Sequence, residues 1–291
     1  MLTTRFHGPR LLLSLSAAGL LCLLAAQTVA ATGPATVGLG TAAPFAVLAG
    51  TPKVASTGAT VINGNLGISP AAAVTGFPPG IVHGTIHKTD AVALQAQSDL
   101  TTAYTDSAGR PVTATHGTLG GLILAPGVYN AGGVVLGLTG TLTLDGHNNP
   151  NAVWIFKATS SLVTASSSRV KLINGASSCN VFWQVTSSAT LGSGSTFVGT
   201  IMALTSITMA SGVTLHGRAL ARNGQVTLIN DRITSSTCFV GGGGSTIPNT
   251  TTAPPTDLRG SGPSPVVLLG IVVVAFVLVL SRTSLRINRS R

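Results

Sequence analysis

The stretches 162–168 (LVTASSS), 188–194 (SATLGSG), 206–212 (SITMASG) and 225–231 (QVTLIND) superpose on one another and decide the fold. The alignment sets Thr164, Thr190, Thr208 and Thr227 in one column, at intervals of 26, 18 and 19 residues. An interval near this length is what one turn of a β-solenoid requires, three short strands plus corners. The residues that follow, Ala165, Leu191, Met209 and Leu228, are apolar. Side chains alternate across a strand, so each threonine is expected to point outward and its neighbour inward. A weaker column six residues on holds Thr196 and Thr214, paired with inward Phe197 and Leu215. Working outward, 153–156 (VWIF), 181–185 (VFWQV) and 200–204 (TIMAL) read as further strands, punctuated by Gly, Asn and Ser. One segment breaks the pattern. Thr89 or Asp90 can cap a helix whose apolar face is Val92, Ala96, Leu100, Ala103 and Tyr104, ended by Gly109-Arg110-Pro111. Such a face must be buried, and the side of the solenoid is the surface that can bury it.

Charged residues make up only 8% of the chain, far below the quarter or so usual in soluble domains, so Thr, Ser, Asn and Ala must build the surface. All six acidic residues are Asp, which starves most acid/base and metal-assisted hydrolytic chemistry. The net charge of +10 resembles a nucleic-acid footprint until it is located. Arg5, Arg10, Arg282, Arg286, Arg289 and Arg291 lie at the two ends, leaving ten basic against six acidic residues between them, without clusters or interleaved aromatics. No nucleic-acid partner is expected.

The ends carry membrane signals. Residues 1–31 read as a secretory signal peptide: Arg5, His7 and Arg10, an apolar run over 11–26, then small residues at 28–31. Residues 32–43 read as a linker, 44–240 as the solenoid domain, and 241–265 as a Gly/Thr/Pro-rich stalk. Residues 266–281 (VVLLGIVVVAFVLVLS) read as a short transmembrane helix, and the basic tail 282–291 as cytoplasmic by the positive-inside rule. The wall-anchoring signal Leu-Pro-x-Thr-Gly is not matched by Ile247-Pro248-Asn249-Thr250-Thr251, so simple membrane anchoring is expected. Export places Cys179 and Cys238 in an oxidising setting where a disulfide is expected, two buried free thiols being the alternative.

The blocks 45–80 (FAVLAGTPKVASTGATVINGNLGISPAAAVTGFPPG), 151–157 (NAVWIFK), 179–197 (CNVFWQVTSSATLGSGSTF) and 217–228 (GRALARNGQVTL) closely resemble the microbial ice-binding-like family. The resemblance covers about two thirds of the chain. It implies a mainly β fold: a discontinuous right-handed β-helix of triangular section with one long helix alongside. The ice-binding face that the resemblance implies is marked by outward Thr-Ala/Gly-x-Thr/Asn. Thr57-Gly58-Ala59-Thr60 fits that pattern. The sets Thr190-Leu191-Gly192-Ser193, Thr208-Met209-Ala210-Ser211 and Thr227-Leu228-Ile229-Asn230 depart from it at the second position. The candidate ice-contacting residues are therefore Thr57, Thr60, Thr164, Thr190, Ser193, Thr196, Thr208, Ser211, Thr214 and Thr227.

Other chemistry finds little footing. His83 and His87 are spaced for a metal only on a helix, and Gly84 and the strand-like surroundings argue against one, so no metal or cofactor is expected. Asp145 and Asp231 sit in turn contexts rather than as a carboxylate pair, Arg218 and Arg222 read as structural, and no enzyme is expected. The second function class is a surface adhesin that binds glycan or a neighbouring cell through the same flat face.

Overall fold

The computed structural model describes residues 33–133, 135–236 and 238. The signal peptide, stalk, membrane span and tail expected at 1–31, 241–265, 266–281 and 282–291 lie outside these residues. Among the described residues no helix is long and apolar enough to cross a membrane.

Parallel strands stack in three ladders, and together these form a β-solenoid with one helix, α1 (Ala91–Gly109), along its side. The helix-bearing face runs Ala114–Thr115, Gly127–Asn130, Trp154–Ala158, Val181–Val185, 200–203, 218–221, Phe45–Ala49, Asn65–Ile68 and Ile86–Lys88. The stacking order is not the chain order. The first two coils of the chain sit below the last one, with Phe45–Ala49 on 218–221, Lys53–Thr57 on Val226–Ile229, and Val61–Asn63 on Arg232–Thr234. The chain must therefore travel from Lys88 at one end to Ala114 at the other, and α1 makes that journey. Its 19 residues rise roughly 28 Å, against roughly 38 Å for the eight ladder steps between those end strands, and residues 110–113 supply the difference.

Two long strands, Thr196–Ala203 and Thr214–Ala221, turn a corner without leaving the ladder. The bends are at Gly199 (φ +107°) and Gly217 (φ +154°), which pair with each other. A β-carbon on Gly217 would stand 1.9 Å from the Gly199 carbonyl oxygen, so only glycine allows the coils to stack through this bend.

Inside, aromatic rings stack up the axis: Tyr129 on Phe156 at 5.5 Å, Phe156 on Trp183 at 4.1 Å, and Trp183 on Phe197 at 4.6 Å between centroids. Outside the sheet, Val128, Ile155, Phe182, Met202, Leu220 and Leu48 are buried beneath α1. The helix meets them with Ala96, Leu100, Ala103 and Tyr104, and its N-terminus is capped by Asp90, whose Oδ1 accepts from Ala93 N at 2.8 Å. The expected helical face is corrected at one position. Val92 is 47% exposed and Ala93 is fully buried: Ala93, Ala96, Leu100, Ala103 and Tyr104 share one stripe, and Val92 lies at its edge, roughly 70° from the centre, in the first turn.

Residues 33–43, expected as a linker, are packed instead. Val37, Leu39 and Ala42 are buried in the same cluster as Leu100, and Thr41 donates through both N and Oγ1 to Asp99 Oδ2, at 2.6 and 2.7 Å. Cys179 and Cys238 are disulfide-bonded, with Cα atoms 5.5 Å apart and a sequence separation of 59. Closing a loop of that length stabilises the fold by about 4 kcal/mol in the chain-entropy account. Beside it Arg218, 3% exposed, donates from Nε to Ala43 O (2.6 Å) and from Nη2 to Ser236 O (2.9 Å). This guanidinium joins both ends of the described chain to the sheet. Burial without a carboxylate partner pushes its pKa down.

Candidate functional site

The second ladder is a seven-stranded parallel sheet in the order Val135–Leu138, Ser161–Thr164, Ala189–Leu191, Ile207–Met209, Val226–Ile229, Lys53–Thr57 and Ala73–Thr75. Alternate residues face the core: Leu162, Ala189, Ile207, Val226 and Val54 are completely buried. Between them lies an outward column, Gly137, Val163, Thr190, Thr208, Thr227, Ala55 and Thr75, fixed rung by rung by the ladder register. A second outward column lies two residues earlier, opening on the pair Val135 and Ser161 and closing on Lys53 and Ala73. Lys53 is the one charged side chain in the two columns. Mostly small side chains on a continuous parallel ladder make this surface, the threonine face, nearly free of charge.

Three of the ten candidate residues, Thr190, Thr208 and Thr227, meet in that column. Thr164 does not. Its rung partner is Leu138, its side chain is 4% exposed, and its Oγ1 accepts from Gly192 N at 2.9 Å. The residue opposite Thr190 is Val163. Superposing the threonines had slipped this strand by one residue, and a one-residue slip exchanges the two sides of a sheet. Ala165, expected inward, is accordingly only half-buried and sits in the turn beyond the strand. Thr60 is the second correction. It is fully buried at the corner after Lys53–Thr57, where Oγ1 accepts from Asp231 N at 3.2 Å. Thr57-Gly58-Ala59-Thr60 thus spans a strand end and a turn, and only Thr57, opposite Ile229, is exposed on the sheet. Ser193 and Ser211 are exposed in the turns that follow the threonine strands.

Thr196 and Thr214 pair with each other on a different surface. This third face runs Ile123–Leu124, Thr141–Asp145, Arg169–Ile173, 196–198, 214–216, Arg232–Thr234, Val61–Asn63 and Ile81–Val82. One outward column reads Thr141, Arg169, Thr196, Thr214, Arg232, Val61 and Ile81. Lys171 and His216 are exposed in the neighbouring column. Long charged side chains stand among these threonines.

The remaining polar groups are engaged locally. His87 Nδ1 lies 2.7 Å from Asp90 Oδ2, and His83 is exposed away from that pair. Hydrogen bonds from Ala93 N and His87 lower the pKa of Asp90, those from Thr41 lower that of Asp99, and those from His147 N and Asn174 lower that of Asp145. Asp231 behaves oppositely. Burial at the corner between the threonine face and the third face raises its pKa to about 7, although Ile229 N (2.7 Å) and Val213 N (2.9 Å) both donate to it. Asp145 and Asp231 lie on different edges and form no pair. Val163, Gly137, Ala55 and Thr75 were missed by sequence reasoning. The signal that could have found Val163 is Leu162, an apolar residue that takes the inward place of Ala189, Ile207 and Val226; the second inward place, apolar in Leu191, Met209 and Leu228, is held here by Thr164.

Known proteins share this architecture. The family described as Ice-binding-like matches residues 47–234. An ice-binding protein of Nostoc sp. (strain HG1) is 48% identical over 206 residues, covering 69% of this chain and 74% of its own. One from Colwellia sp. is 34% identical over 233 residues, covering 73% and 88%. Among solved structures, an ice-binding protein from an Antarctic biological consortium aligns with TM-score 0.68 and 45% identity, over 70% of this chain and 93% of that one. That of the Antarctic ascomycete Antarctomyces psychrotrophicus aligns with TM-score 0.66 and 40% identity, over 70% of this chain and all of its own. The family match over 47–234 and the identity to these relatives show that the chain belongs to the ice-binding-like family.

Proposed function

We propose that this protein binds ice through the threonine face, as an exported protein held at the cell surface. The observation that carries the reading is the register column of Thr190, Thr208 and Thr227 on a flat sheet whose outward columns hold one charge. Successive rungs repeat at about 4.7–4.9 Å, close to a repeat of the ice lattice. Each threonine offers a methyl group that disfavours water's loose arrangement and a hydroxyl that anchors one water molecule. A rigid array of this kind orders surface water into a layer that merges with a crystal, and it requires no catalytic group. Thr57 and Thr75 extend the exposed hydroxyls toward the end of the sheet formed by the first coils of the chain.

The relatives support the same reading, since the proteins named above are described as ice-binding and none as an adhesin. Residues 1–31 and 266–281 carry the export and anchoring parts of the proposal, with the tail 282–291 inside the cell. A tethered ice binder would hold a cell to ice or shield its surface.

Partition of the purified chain into slowly growing ice tests the reading. The wild type is expected to concentrate in the ice, and Thr208→Tyr to be excluded with its melting temperature unchanged. Exclusion of the wild-type chain, or full uptake of the tyrosine variant, would defeat the assignment.

A further inference from the structure

The described chain sorts its cations unevenly. Arg110 is paired with Asp106 at 2.8 Å, Lys157 donates to Arg110 O, Arg218 is buried, and Arg222 lies 4.9 Å over the Tyr104 ring. Lys53 and Lys88 are exposed singly, on the threonine face and on the helix-bearing face, whereas Arg169, Lys171 and Arg232 share one face. All three are exposed on the third face, and among the described residues none makes a side-chain hydrogen bond or ion pair. Arg169 and Lys171 stand two residues apart on one strand, and Arg232 lies three rungs away through Thr196 and Thr214, roughly 14 Å across a flat sheet. His216 adds a fourth nitrogen group in the neighbouring column. The acid on this face, Asp145, is at its edge, and its carboxylate is occupied by His147 N (2.9 Å) and Asn174 Nδ2 (2.8 Å). Asp231, at the corner, is 2% exposed.

We propose that the third face is a second binding surface, which takes an extended carboxylate-bearing polysaccharide. A guanidinium presents a planar fork that matches a carboxylate. The two threonine rungs between the cations supply hydroxyls that both donate and accept, as a run of sugar hydroxyls demands. The spacing of Arg169 and Arg232 suits a polymer lying across the strands, with a carboxylate meeting each guanidinium and sugar hydroxyls meeting the threonines between. Single-stranded nucleic acid is a poorer fit, because the outward columns of this face present no Phe, Tyr or Trp ring on which successive bases could stack. A bilayer surface is also a poorer fit, because the face is a rigid sheet rather than an amphipathic helix able to enter the headgroup layer. The same cations unsuit this face for ice, so the two surfaces divide the labour: one for the crystal, the other for the acidic matrix around the cell.

Affinity electrophoresis of the purified full-length chain through gels containing polygalacturonate or neutral dextran tests the proposal. The expected result is retardation by polygalacturonate at least about tenfold stronger than by dextran, lost as rising salt screens the cations. The combined variant Arg169→Gln, Lys171→Gln, Arg232→Gln should lose that retardation, and Arg232→Gln alone should lose part of it. Thr208→Tyr, expected to lose ice uptake, should leave retardation unchanged, so failure of either surface reads out separately. Equal retardation by the two polymers, full retardation of the folded triple variant, or stronger capture by phosphatidylglycerol vesicles than by polygalacturonate would each overturn it.

Discussion

The threonine face and the third face are wound from the same coils, one strand of each per turn, and their separate ladders stack in the same coil order. Their outward threonines even recur at the same interval, Thr190 to Thr208 on one and Thr196 to Thr214 on the other. What separates them is the company those threonines keep. Thr208 lies between Thr190 and Thr227, whereas the Thr196–Thr214 pair is bracketed by Arg169 and Arg232. The solenoid supplies spacing to every face equally, and on the proposed reading it is the scarcity of long charged side chains that suits one of them to order water.

The sharpest way to break this comparison is to make one substitution on both surfaces. Thr208→Tyr places a bulky ring in the middle of the flat column and should reduce uptake into ice by roughly tenfold or more, the equivalent of at least about 1.4 kcal/mol. Thr214→Tyr should leave uptake within about twofold of wild type, because the third face would not meet the crystal; twofold is about 0.4 kcal/mol. Both positions are half-exposed strand sites where stability should shift by no more than about 0.5 kcal/mol. Equal losses would mean that both faces, or neither, contact ice.

A second pair of variants tests the register itself. Thr164→Val removes the oxygen that accepts from Gly192 N and leaves that amide unpaired, at a cost of about 1–3 kcal/mol. Ice uptake should be unaffected, since Thr164 points inward. Thr190→Val, on the exposed side of the next rung, should cost less than about 0.5 kcal/mol while weakening uptake. Chemical denaturation measured beside ice partition separates the two. A reversed result would return Thr164 to the surface.

Those two residues also show how much of this molecule was legible. The repeat, the outward threonines of three coils and the position of the helix followed from periodicity, because strand alternation and helical spacing are local properties. The stacking order did not: nothing local in 45–63 announces that its strands will pair with 214–234, some 170 residues later. Thr164 was misread for a related reason. A threonine-rich turn offers several alignments, and only the inward fit of Leu162 against Ala189 selects the true one. Thr60 is expected at the surface because its motif fits the outward pattern that the family resemblance implies. Its oxygen is needed instead at the seam, by a backbone donor from the far end of the chain.

That seam carries the smallest effect, at the corner where the two faces meet. Asp231 ends the threonine-face strand of the last coil and begins its third-face strand, and its carbonyl accepts from Val61 N at 2.8 Å in the first coil. Its carboxyl pKa is raised from 3.8 to about 7 by burial, so the folded state holds a proton that the unfolded chain has released. The stability linked to that proton is fully present below about pH 4 and is lost as pH rises through about 7. Asp90, Asp99 and Asp145, with lowered values, act in the opposite sense, and their contribution fades only as pH falls below the ordinary carboxylate range. The two effects therefore occupy separate windows. Asp231→Asn keeps one acceptor of the two and should lower the melting temperature modestly at acidic pH. It should also flatten the decline between about pH 4 and about pH 7, so that the two melting curves converge toward neutrality. An unchanged slope in the variant would show that the corner carboxyl is ionised throughout, held by Ile229 N and Val213 N, and that the seam is insensitive to pH.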